Sequence, residues 1–225
     1  MAVSLSAIIC TRTNALPNRA AVASAHPLAS EAGVEILARG GNAFDAAVAV
    51  SAALGVVEPY GSGLGGGAFF LLHRASDDKD IMIDGREVAP AAARVDMYLD
   101  ENGEPLPGAS RDGPLAAGIP GLPAALVHLA ENYGRLPLSE SLQPAIRFAE
   151  QGFPAYDWHV SRLERLASDM NDSAQRVFIP AGKVPVVGSP IYQFDLAETL
   201  RSLAREGHDG FYKGPVAQKL LEGEQ

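Results

Sequence analysis

Arg86 follows two apolar runs, Ala68-Phe69-Phe70-Leu71-Leu72-His73 and Ile81-Met82-Ile83, and sits within Asp84-Gly85-Arg86-Glu87. A guanidinium at the end of a strand is held firmly and can be aimed into a cleft. Its planar fork makes two parallel charge-assisted bonds to a carboxylate, which suits recognition of an amino-acid carboxyl group. The same cation could equally be satisfied by Asp84 or Glu87, because most arginines near carboxylates form structural or surface pairs. Both readings stand on these residues alone.

Gly61, Gly63 and Gly66 match the spacing G-x-G-x-x-G, and Asp84 lies where a ribose-binding acid would. The context is wrong for a dinucleotide site. That fingerprint follows a strand and opens a helix whose amides hold the pyrophosphate, whereas here a helix precedes and a strand follows. These glycines read instead as backbone that takes positive φ and lies close to a neighbouring chain or ligand. Ser62 lacks the spacing of a nucleophile elbow. His26, His73, His128, His159 and His208 show no paired spacing on which a metal could close, and read as structural or surface residues.

Several elements position these residues. Pro27 to Arg39 carries apolar residues at helical spacing and stops at Gly40-Gly41. Asn42 then caps a helix from Ala43 to Val57 that is apolar all round, and whose alanines suit a helix laid flat on a sheet. After the glycine loop, residues 68 to 73 read as a central strand, and Ile81 to Ile83 returns as its antiparallel partner. Residues 101 to 120 are dense in Gly and Pro and read as a surface excursion. Leu122 to Asn132, Ser139 to Gln151 and Leu196 to Glu206 are further predicted helices. The fold class expected is a layered α+β one.

Bulk properties narrow the function classes. At 225 residues, 47% hydrophobic and 20% charged, the chain suits one ordinary globular core. A formal charge of -9 and the lack of basic clusters argue against nucleic acid. Cys10 is the single cysteine, so no intrachain disulfide forms. The longest apolar run, Ala46 to Val57, is too short to cross a bilayer, which takes about 20 residues. Residues 1–20 lack a clear export signal and read as a frayed extension.

Taken in order, several stretches resemble the gamma-glutamyltransferase (glutathione hydrolase) family of N-terminal nucleophile hydrolases. They are Ala23-Ser24-Ala25-His26-Pro27-Leu28-Ala29-Ser30, Gly40-Gly41-Asn42-Ala43-Phe44-Asp45-Ala46-Ala47-Val48-Ala49, Gly63-Leu64-Gly65-Gly66-Gly67 and Asp84-Gly85-Arg86-Glu87-Val88-Ala89-Pro90, with Gly118-Ile119-Pro120-Gly121 and Phe211-Tyr212-Lys213-Gly214 further on. The resemblance implies an αββα sandwich, of which residues 21–225 are the N-terminal portion of the large subunit, ending before the self-cleavage site. It makes Arg86 the arginine that binds the α-carboxylate of the gamma-glutamyl group, with Glu87 as a supporting residue. The family's nucleophile is a threonine at the start of the small subunit, usually in a Thr-Thr-His context. Thr11, Thr13 and Thr199 lack that context, so the chain alone is expected to be inactive.

The same resemblance implies a gamma-glutamyl substrate such as glutathione, water or an amine as acceptor, a small subunit from the same precursor, no metal or organic cofactor, and a periplasmic or secreted location. Related members act as acylases on glutaryl-cephalosporin amides or as amidohydrolases on oxo-acid amides such as oxamate. A binding protein without the nucleophile is the reading from another class. With part of the sandwich missing, an exposed apolar face is expected.

Overall fold

His26 and Asn42 open the first two helices by different devices. The computed structural model, which describes residues 20–223, places α1 at Pro27–Ala38 and α2 at Ala43–Val57. The extension read at residues 1–20 lies outside the described residues except for Ala20. Proline fits the first turn of α1, where its missing N–H would have no partner. The Nδ1 of His26 caps that turn by accepting the Leu28 N–H at 3.1 Å. Gly40, at φ +96, then takes the chain out of α1 in a conformation favoured for glycine. The Asn42 side chain accepts the N–H groups of Phe44 and Asp45, while Asp45 accepts the Asn42 N–H at 2.8 Å, so α2 starts from a capping box.

Val48, Ala49, Ala53, Val56 and Val57 of α2 are fully buried. Small residues let the helices approach closely: a methyl placed on Gly33 of α1 would stand 2.8 Å from Val50. α2 shares one buried cluster with Phe70 and Leu72 of the hairpin, and it also packs against α1, α3 (Leu122–Tyr133), α4 (Leu138–Ser141) and α5 (Gln143–Gln151). The single helix expected from Ser139 to Gln151 is broken at Leu142. Pro144 is the reason, because its ring removes an N–H and crowds the carbonyl four residues earlier.

The hairpin forms as read. β1 (Ala68–Arg74) pairs antiparallel with β2 (Lys79–Gly85), with Leu71 opposite Met82 and Phe69 opposite Asp84. Phe70 and Leu72 point into the core, whereas Leu71 is 80% exposed. β1 is therefore not a central strand among the described residues; it pairs with β2 alone and alternates as a strand buried on one face. The excursion that follows is closed at its base by reciprocal hydrogen bonds between Val88 and Ile119, at 3.1 and 2.8 Å.

Beyond α5 the chain adds β3 (Phe153–Pro154), α6 (Asp157–Leu166), α7 (Asp172–Phe178), β4 (Pro190–Ile191), α8 (Phe194–Glu206), α9 (Asp209–Tyr212) and α10 (Gly214–Gly223). Short strands β3 and β4 pair with each other. The class is α+β, with the core lying between the helical layer and one face of the hairpin.

Candidate carboxylate-binding site

Gly85 ends β2 where α3 presses against the strand: a methyl there would stand 2.5 Å from the Cβ of Ala125. Arg86 and Glu87 follow immediately, and glycines surround their backbone. A Cβ on Gly67 would lie 2.7 Å from both the Arg86 Cα and the Glu87 Oε2. One on Gly121 would overlap the carbonyl oxygens of Gly85 and Arg86, and one on Gly118 would stand 3.0 Å from the Glu87 Cβ. The Gly66 carbonyl accepts the N–H groups of Gly121 and Leu122, both at 3.0 Å, which ties the glycine loop to the start of α3. Tyr212 braces the same corner, donating its hydroxyl to the Pro120 carbonyl at 2.6 Å and accepting the Ala124 N–H at 3.2 Å. Burial pushes that phenol above its ordinary pKa.

Within the glycine loop it is Gly67 whose missing side chain close approach requires. No residue from Gly61 to Gly67 has positive φ, so the sequence reading of left-handed backbone there is corrected, while its other half, contact with a neighbouring chain, holds at Gly67.

Two charged side chains project from this cradle. Asp84 Oδ1 accepts the Arg86 backbone N–H at 3.0 Å and fixes the turn out of the strand. The Arg86 side chain is 58% exposed, with its Cζ 5.9 Å from the Phe69 ring and its Nε 3.3 Å from the Glu87 Oε2. Glu87 is the more enclosed partner: its Oε2 is buried and has no hydrogen-bond partner among the described residues. Both residues line an open cleft of about 510 Å³ whose other walls include Gly65, Met97, Tyr98 and Leu115. The local ion pair and an outward-facing guanidinium thus coexist. A half-exposed arginine joined to its neighbour through Nε keeps the outer edge of its fork free for an incoming carboxylate.

The remaining nominated residues lie elsewhere. Thr199 sits in α8 and donates to the Asp195 carbonyl at 3.0 Å, while Thr11 and Thr13 fall outside the described residues. His73 pairs with Asp80 at 3.0 Å on the outer hairpin face, and His128 and His208 are exposed. His26 and His159 are buried. Among the described residues no group of three metal-ligating side chains gathers, and no helix is long and apolar enough to cross a membrane. Sequence reasoning missed the part played by Tyr212, which it noted only inside Phe211-Tyr212-Lys213-Gly214; an aromatic with a hydroxyl beside a glycine stop was the available signal.

Comparison with known proteins identifies the family and the fold. The family model described as Gamma-glutamyltranspeptidase matches residues 29–225. The glutathione hydrolase proenzyme of Bacillus subtilis strain 168 is 41% identical over 207 residues, covering 89% of this chain and 35% of the relative. The crystal structure of Helicobacter pylori gamma-glutamyltranspeptidase superposes with a TM-score of 0.88 at 37% identity, covering 91% of this chain and 59% of that one. A cephalosporin acylase from Bacillus halodurans superposes with a TM-score of 0.75 at 33% identity, over 87% of this chain and 37% of that one. The chain spans about a third of the length of the curated relatives it matches, 35% for the Bacillus subtilis protein. With most of its length matched to one family model and its fold shared at that level, the chain belongs to the gamma-glutamyltranspeptidase family.

Proposed function

We propose that the chain supplies the acyl-carboxylate clamp of an enzyme that transfers or hydrolyses the gamma-glutamyl group of glutathione and related amides. Residues 21–225 then act as the N-terminal portion of the large subunit, and the threonine nucleophile comes from a small subunit of the same precursor, as the word proenzyme in the relatives' names supports. Arg86 binds the substrate α-carboxylate and Glu87 holds the guanidinium in register. The observation that carries this is the contrast within the pair: a backbone locked by Gly67, Gly85 and Gly121 presents a guanidinium that is 58% exposed beside a cleft. In this role Arg86 orients the acyl group and breaks no bond.

Arg86→Lys in the complete enzyme tests the assignment. It keeps the charge and loses the fork, so kcat/KM for a gamma-glutamyl anilide should fall by about 10- to 150-fold, matching about 1.5 to 3 kcal/mol for charge-assisted bonds. Unchanged kcat/KM would refute the clamp.

Similarity to the Bacillus halodurans acylase supports a second reading, in which the acyl group is a glutaryl or oxo-acid amide. A panel of gamma-glutamyl anilide, glutaryl amide and oxamate separates the two, because only the first carries an α-amine. Family membership also supports a periplasmic or secreted location for the complete protein, which cell fractionation tests.

A further inference from the structure

His159 is only 1% exposed, and neither ring nitrogen has a hydrogen-bond partner among the described residues. Aromatic rings enclose it, with centroids at 6.2 Å for Tyr60, 5.8 Å for Phe153, 5.7 Å for Tyr156 and 6.0 Å for Phe178. These rings come from the turn after α2, from β3, from the residue before α6 and from the end of α7. The imidazole is therefore the pin that fastens α6 and α7 to the end of α2. Tyr156 extends the joint by donating to the Val57 carbonyl at 3.1 Å, and its hydroxyl lies 2.7 Å from that of Tyr60. Tyr60 in turn leads directly into the glycine loop.

A neutral imidazole fits this cage as an aromatic ring. An imidazolium would carry two N–H donors with no acceptor, and burying a charge without hydrogen bonds is costly. The charged and titratable groups facing the cage do not offset that cost. From the α1 side come His26, whose ring is 4.7 Å from Tyr156, and Glu31 beside it; from the end of α2 come Glu58 and Tyr60, and the Tyr60 hydroxyl donates to Glu58 at 3.1 Å. From α6 comes another cation, Arg162, 5.9 Å from the Tyr60 ring. β3 and α7 contribute the Phe153 and Phe178 rings.

We propose that His159 is a proton-operated latch: as a neutral ring it closes the aromatic cage, and on protonation it leaves the cage and frees α6 and α7 from the turn before the glycine loop. Burial first, and repulsion from His26 second, hold its pKa below the ordinary value. An exposed histidine takes its proton near pH 6.5, so the closed form is fully favoured above that pH and loses ground as pH falls through it.

Amide hydrogen exchange on the full chain, corrected for the intrinsic pH dependence of exchange, reads the latch. Between pH 6.5 and 5.5 protection in α6 and α7 should fall by about fivefold, because an exposed imidazole is already half protonated at the upper pH, while α2 keeps its own. His159→Phe preserves the ring and removes the proton site, so the loss should vanish. Equal loss in the variant, or undiminished protection of α6 and α7 in the parent chain, would overturn the proposal. Should the variant not fold, NMR titration of the His159 ring decides: uptake of a proton in step with the lost protection supports the latch, and a ring that stays neutral through that loss overturns it.

Discussion

The helical layer around α2 and the junction around Arg86 handle their polar groups in opposite ways. In the layer, Asp45 is fully buried, and its carboxylate accepts the N–H groups of Asn42, Arg135 and Leu136 at 2.8, 3.0 and 3.3 Å. Asn42 adds a bond from Nδ2 to the Tyr133 carbonyl at 2.7 Å, so the start of α2 and the loop after α3 are locked together. At the junction the backbone is equally confined, by glycines, yet Glu87 keeps a buried oxygen without a hydrogen bond and Arg86 faces solvent. Polar groups in the first region complete the fold, whereas those in the second are held in place with capacity left over. A rigid backbone that leaves a charged group accessible suits a preorganised binding group.

Removing Asp45 breaks this contrast at its strongest point. Asp45→Ala would strand backbone donors in the interior, and each buried donor left unsatisfied costs about 1 to 3 kcal/mol. A urea unfolding curve should show that drop as a lower midpoint, with Asp45→Asn falling between the two because it keeps one acceptor oxygen. A cost below about 1 kcal/mol would mean that the layer does not depend on this carboxylate.

Gly121→Ala sharpens the comparison from the other side. The added methyl would displace the Gly85 and Arg86 carbonyls, and overpacking of this kind costs about 1 to 3 kcal/mol. Because the displaced atoms carry the guanidinium, binding of a gamma-glutamyl substrate to the complete enzyme should weaken along with thermal stability. Gly63→Ala is the matched control, since nothing lies within 4 Å of its added methyl and its φ is not positive. If both variants behave alike, the tight glycine cradle has no bearing on Arg86.

Legibility followed burial. α1 and α2 could be read because a run of buried positions and explicit caps mark them, and the hairpin because two apolar runs flank a turn; its one-sided burial was hidden because Phe69 and Leu71 are apolar on the outer face too. α6 was missed because it buries only His159 and Leu163, too few to impose a period. At the glycine loop the sequence showed that side chains are excluded, but positive φ and close backbone approach demand the same residue, and only the packing of Gly67 against Arg86 separates them. Arg86 was named from its place after a strand, and its pairing with Glu87 was one of the readings left open. His159 carries no signal in the sequence because the rings that enclose it include Tyr60 and Phe178, far from it along the chain; the nearby Phe153 and Tyr156 are the local hint.

The smallest effect is expected on the outer face of the hairpin, at Leu71→Ser. Leu71 is 80% exposed and stands opposite Met82, itself 63% exposed, so the leucine loses little contact when replaced. Stability of the chain should move by no more than about 0.5 kcal/mol, the usual range for surface positions. Self-association, followed by sedimentation velocity, should fall instead, because an apolar strand face open to water favours pairing. A stability loss above about 1 kcal/mol would show that this face is already covered in the folded chain, and the division between a self-sufficient layer and an open junction would then have to be redrawn around the hairpin.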